Sequence, residues 1–202
     1  MARLLRCAAV VALVGGATAS LSACSGDPGP IVTETPSATR TVETTPSPSP
    51  TPSVTSEEEL LAQIPEDARA ENFVSASNFA KFFVSLYPQM MKTLDGELFQ
   101  LVSSPECDFC LSALDTRQRL EDSAESRTGG EPSFPNEPAS GGQEPDGTYT
   151  IVLEMQTAPS TTIDSAGAVV GTGEGGSGTV GISLAFAEGH WVVLGVNYAR
   201  AG

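Results

Sequence analysis

Apolar residues at Phe73, Ala76, Ala80, Phe83, Tyr87, Met90 and Leu94 recur at steps of three or four. That spacing places them on one face of an α-helix. Pro88 falls inside the run and is expected to kink or divide the helix, because it has no amide hydrogen and crowds the carbonyl one turn back. Upstream, Ser56 with Glu59 three residues later has the form of a capping box, so a short helix is expected there, stopped by Pro65. Downstream, Asp95-Gly96 reads as a turn and Glu97 to Val102 as one or two further helical turns. Ser104-Pro105 followed by acidic residues reads as another helix start. Leu111, Leu114 and Leu120 give that helix a sparse apolar face, and Gly129-Gly130 is expected to end it.

Beyond this point the period changes. The segment "EPSFPNEPASGGQEPDG" is rich in Pro and Gly and reads as a loop with at most one short edge strand. "TYTIVLEMQTA" alternates, with Tyr149, Ile151, Leu153 and Met155 on one face of a strand. "AGAVVGTGEGGSG" reads as flexible chain, and its glycines do not follow a strand and open a helix as a phosphate-binding loop requires. "TVGISLAFAEGHWVVLGVNYA" reads as two strands joined by a tight hairpin at Glu188-Gly189. Helices followed by antiparallel strands is the order of an α+β domain, placed here at residues 57–202.

The chain before that domain has a different character. Arg3 and Arg6, an apolar segment from Leu4 to Val14 and small residues up to Cys24 follow the layout of a secretory leader. The apolar core is shorter than the roughly 20 residues a spanning helix needs. "LSAC" at Leu21 to Cys24 resembles a bacterial lipobox. The resemblance implies that residues 1–23 are a lipoprotein signal peptide and that Cys24 is the lipidation site and the new terminus. The alternative is an ordinary secretory leader, which leaves Cys24 as a free thiol. Two acyl chains give stable attachment where one is marginal. Residues 24–56, "SGDPGPIVTETPSATRTVETTPSPSPTPSVTS" after the cysteine, alternate Pro with Thr and Ser. They bury too little to order themselves and read as a disordered linker. Extended at about 3.1 Å per residue, it reaches up to roughly 100 Å, as a stalk through a cell wall or as a plain spacer.

Composition narrows the partners. The chain carries 25 acidic and 10 basic residues, a formal charge of −15. Loss of Arg3 and Arg6 with the leader makes it more acidic still. Such a surface repels phosphate backbones, so no nucleic-acid partner is expected. No calcium-binding D-x-D-x-D-G loop occurs either.

Cys107 and Cys110 admit three readings. A disulfide is favoured, since cysteines three apart in a helical turn lie within bridging distance and an exported protein meets oxidising conditions. It would close a small ring and contribute about 2 kcal/mol. A redox-active C-x-x-C would gain from a helix N-terminus, but Glu106 and Asp108 favour the protonated thiol and no strand precedes the pair. Zinc is weakest: these thiols and His190 fall short of four strong ligands. No metal or cofactor is expected. His190 reads as a half-exposed strand residue beside the hairpin turn rather than as a base, and no Ser/His/Asp order or H-E-x-x-H helix is present.

The lipobox, the Thr/Pro/Ser stalk, "FAKFFVSLYPQMMKTLDGELFQLVS", the C-D-F-C pair and the terminal "HWVVLGVNYA" together resemble actinobacterial lipoproteins carrying domain of unknown function 6318. These are similar in layout to the nuclear-transport-factor-2-like, or SnoaL-like, cone fold. The resemblance implies N-terminal helices packed on a curved antiparallel sheet, and it brings no established activity. Cone-shaped enzymes place an Asp with a His or Tyr in the pocket, but fold alone does not license catalysis. The expectation is a monomeric, non-catalytic binding or interaction domain for a small-molecule or protein ligand. It would be lipid-anchored on the extracellular face of the cell membrane. The rival is an envelope enzyme or a thiol-redox protein using Cys107 and Cys110.

Overall fold

The computed structural model describes residues 55–136 and 139–201. The leader, Cys24 and nearly all of the linker lie outside the described residues. Within the domain a short α1 (Glu57–Leu61) begins at the expected capping box: the Ser56 hydroxyl accepts from the Glu59 amide, and the Glu59 carboxylate accepts from the Ser56 amide. A single 3-10 turn follows at Glu66–Ala68. Arg69 clasps this entry by donating to the carbonyls of Ala62 and Ile64.

The long helix α2 (Phe73–Thr93) is capped by the Asn72 side chain, which accepts from the Ser75 amide. It runs through Pro88 without being divided. Ala76, Ala80, Phe83 and Met90 of the expected stripe are buried, while Phe73, Tyr87 and Leu94 are half-buried at its margins. Leu94 ends the helix in the left-handed conformation at φ 60. Its carbonyl accepts from Arg117 Nε at 2.6 Å, which ties the end of α2 to α4. Helix α3 (Glu97–Leu101) brings Phe99 into a stack with Phe83 at a centroid distance of 4.7 Å.

Helix α4 (Asp108–Asp122) starts with Cys107 as its cap and stops well before Gly129-Gly130. The stop is a Schellman motif. Ala124 adopts φ 52, its amide bonds the Glu121 carbonyl, and the Glu125 amide bonds the Leu120 carbonyl. A helix ended by alanine leaves no glycine signal in the sequence, and the next residues are free to pair as a strand. The apolar face also differs from expectation: Cys110, Ala113 and Leu120 are buried, whereas Leu111 points outward, 50% exposed.

Among the described residues eight strands follow, paired antiparallel throughout. A three-stranded sheet has the order β1 (Ser126–Gly129), β5 (Ser160–Ile163), β6 (Val169–Gly173). In the larger sheet β4 (Tyr149–Thr157) pairs with β7 (Gly176–Ala187), which pairs with β8 (His190–Arg200). The other edge of β4 is shared by β2 (Pro132–Ser133) and β3 (Ser140–Gln143). In the turn between β3 and β4 the Thr148 hydroxyl and amide both donate to the Asp146 carboxylate, which holds that carboxyl below its ordinary value. The Pro/Gly-rich segment thus supplies two strands rather than one, and the glycine-rich stretch expected to be loose forms β6 and the start of β7. Glycines hide strands from periodicity because they contribute no side chain to alternate.

The expected face of β4 is the inner one: Tyr149, Ile151, Leu153 and Met155 are buried, facing Val180, Ile182 and Leu184 across the β4/β7 pair and the helices above. Strand β8 keeps its inner face by means of a bulge. Trp191 and Val193 pair with Phe186 and Leu184, the register then slips, and Val196 and Tyr198 pair with Ile182 and Val180. Leu194 is the extra residue, and a bulge both restores the facing and adds curvature. The hairpin between β7 and β8 turns at Glu188 (φ 52) and Gly189 (φ 86), the two positive angles a tight two-residue turn requires.

Deleting Leu194 should remove the bulge and its added curvature while leaving Val196 and Tyr198 opposite Ile182 and Val180, so stability in urea unfolding should fall by only about 1 kcal/mol. Leu194→Ala, at an exposed position, should stay within about 0.5 kcal/mol of the wild type.

Candidate functional site

One end of the inner sheet face is left open by the helices. The result is a cavity of about 460 Å³, inside the usual range for small-ligand sites. Val84, Tyr87, Pro88 and Met91 of α2 form one wall. Their spacing is again three or four, so α2 carries a cavity stripe beside its core stripe. Pro88 has no amide hydrogen to give the Val84 carbonyl, and both residues line this wall. The opposite wall is Met155, Val180, Val196 and Tyr198 from β4, β7 and β8.

Two aromatic side chains flank the opening in exposed positions, Phe109 at 37% and Tyr198 at 48%. Phe109 is held by the first turn of α4, where Cys107 and Cys110 are both buried at 1% with their sulfurs at bonding distance and Cα atoms 5.2 Å apart. The cross-link thus brackets Asp108 and Phe109 and turns Phe109 outward, 5.9 Å from the Tyr87 ring. Tyr198 lies across β7 at Gly178. A Cβ there would come within 2.6 Å of the Tyr198 hydroxyl, so glycine is needed for this ring position. Polar groups gather at the rim: Arg127, Glu174 and Arg200, with Thr157 and Ser160.

His190 is not part of this cavity. It opens β8, whereas Tyr198 and Arg200 close it, so the length of the strand separates them by roughly 30 Å. The imidazole lies at a second hollow of about 570 Å³ beside the hairpin, with Glu57, Glu58 and Arg69 among its lining. No hydrogen bond or ion pair joins His190 to a carboxylate among the described residues, and its Nδ1 is buried without a partner. Among the described residues no group of three or more His, Cys, Asp or Glu side chains is placed to hold a metal, and no helix is long and apolar enough to cross a membrane. Lipidation at Cys24 falls outside the described residues.

Sequence reasoning placed Tyr87 on the helix stripe and Tyr149 to Met155 on one strand face. It missed Val84, Phe109, Tyr198, Arg127 and Arg200 as lining residues. The second apolar stripe at 84, 88 and 91 was the available signal. The arginines gave none, because Arg127 lies in a strand hidden behind an alanine-ended helix.

No curated protein matches the chain. Among solved structures, the intermembrane space region of the chloroplast protein ARC6 is similar at a TM-score of 0.51 and 9% identity, covering 63% of this chain and 95% of that one. A nuclear transport factor 2 (NTF2-like) superfamily protein from Salmonella enterica subsp. enterica serovar Typhimurium str. LT2 has a TM-score of 0.41 at 11% identity, covering 63% and 92%. ActVI-ORFA from Streptomyces coelicolor has a TM-score of 0.38 at 13% identity, covering 60% and 93%. At these identities the likeness concerns fold alone. Residues 63–197 match the description "Family of unknown function (DUF6318)". That span runs from the 3-10 turn through most of β8, and the chain belongs to the DUF6318 family.

Proposed function

We propose that this protein is a lipid-anchored lipoprotein of an actinobacterial cell envelope whose domain is a non-catalytic binding module, taking its ligand in the cavity between α2 and the inner sheet face. The observation that carries the reading is the pair of exposed aromatic residues, Phe109 and Tyr198, at the mouth of an apolar cavity. Large exposed apolar side chains grouped around a concavity mark recognition surfaces, whereas scattered ones do not. The anchoring part of the reading rests on the lipobox and the stalk composition of the sequence.

A catalytic reading would use the hollow at His190, where Glu57 and Glu58 also line the wall. A histidine acting as a base has its second ring nitrogen oriented by an acceptor. His190 Nδ1 has none among the described residues, which favours the binding reading. A thiol-redox reading needs an accessible cysteine, and both cysteines are buried at 1%.

Native intact mass measured on the full chain, gently extracted from its own membranes, should show the lipid on Cys24 and a further retained mass. Val196→Trp, which fills the cavity, should lose that mass while unfolding as cooperatively as the wild type. A wild-type domain that is empty would overturn the pocket reading in favour of a module that contacts other proteins.

Cys24→Ala should move the protein from the membrane fraction to the soluble one, and continued attachment would refute the anchor. Iodoacetamide should label neither Cys107 nor Cys110 until the protein is reduced. Labelling of the native protein would instead support thiol chemistry.

A further inference from the structure

The charges around the cavity run against those of the chain. With 25 acidic and 10 basic residues overall, a randomly chosen rim would be acidic, yet this one has two arginines and one glutamate. The arginines are also under-used. On α4, Arg117 and Arg119 each hold a carboxylate at 3.1 Å. Arg127 instead donates its Nε to the Thr162 hydroxyl at 3.1 Å, and Arg200 makes only a 3.4 Å bond to the Gly175 carbonyl. Neither forms an ion pair among the described residues.

Local structure keeps Arg200 in place. A Cβ at Gly176 would lie 3.1 Å from its terminal nitrogen and 3.4 Å from Nε, so the absent side chain is what lets the guanidinium rest against β7 beside the opening. Arg127 is half-buried in β1, where partial shielding from water strengthens its attraction for an anion. A guanidinium fork matches the planar or tetrahedral oxygens of carboxylate and phosphate. The walls below offer thioether and aliphatic carbon from Met91, Met155, Val180 and Val196.

We propose that the cavity takes an amphiphile with an oxyanion head, its apolar chain against the methionine and valine walls and its head at Arg127 and Arg200. This rests on the binding reading above and names its ligand class. Glu174 lies on the same rim and opposes the head, which gives the assignment a second handle of opposite sign.

The test is competition by native mass spectrometry on the full chain in a non-ionic detergent, with decanoate, decyl phosphate and decanol as probes of one chain length. At least one of the two anions should outcompete decanol by roughly tenfold, the scale of a charge-assisted hydrogen bond. The preferred anion identifies the head as carboxylate or phosphate. The double variant Arg127→Gln/Arg200→Gln should bring the anions down to decanol, and Glu174→Gln should raise anion occupancy severalfold. Equal occupancy by decanol, or indifference to the double variant, overturns the oxyanion assignment and leaves the cavity reading standing. If none of the probes binds and Val196→Trp leaves the retained mass unchanged, both fall.

Discussion

The burial of Trp191 is the contact on which the domain depends. Its ring lies 6.5 Å from Phe79 of α2 and meets Tyr149 and Phe186 edge-on at 5.1 and 4.9 Å. One side chain therefore joins the long helix to three strands, at 1% exposure. Aromatic burial of this size outweighs any single hydrogen bond or surface ion pair in the fold. Phe79 meets Trp191 near the start of α2, and Val84, Tyr87, Pro88 and Met91 further along the same helix line the cavity.

The cavity follows from several small refusals to fill space. Pro88 withholds an amide from the wall it lines. Gly176 and Gly178 withhold side chains, which leaves room for Arg200 and Tyr198 against β7. The cross-linked turn at Cys107 and Cys110 commits Phe109 outward. Read this way, the cysteine pair contributes less to global stability, about 2 kcal/mol for so short a loop, than to the placement of one ring.

Much of the fold was legible from periodicity. The stripe on α2, the capping box at Ser56 and Glu59, the inner face of β4 and the hairpin at Glu188-Gly189 all rest on side-chain spacing or turn chemistry, which are local. What escaped was set by tertiary context. Helix α4 ends on Ala124, which accepts the left-handed conformation because the following residues pair with β5. Strands β5 and β6 are short runs of Ser, Thr, Ile, Val and Gly, too few in number to alternate. The bulge at Leu194 reverses parity within β8, so a uniform reading of the strand would have sent Val196 and Tyr198 outward. The cavity was the least legible part, since its lining comes from elements as far apart in sequence as α2 and β8.

The path of β8 has a consequence for synthesis. Phe79 and Trp191 are separated by more than a hundred residues, and the pairings that β8 makes with β7 are the most extensive in the larger sheet. A chain emerging in order can form α2 early, but Phe79 meets the Trp191 ring only once β8 is present. Long-range closure of this kind is slow and leaves apolar surface bare in the interim. The domain therefore completes its core only when its last strand is in place.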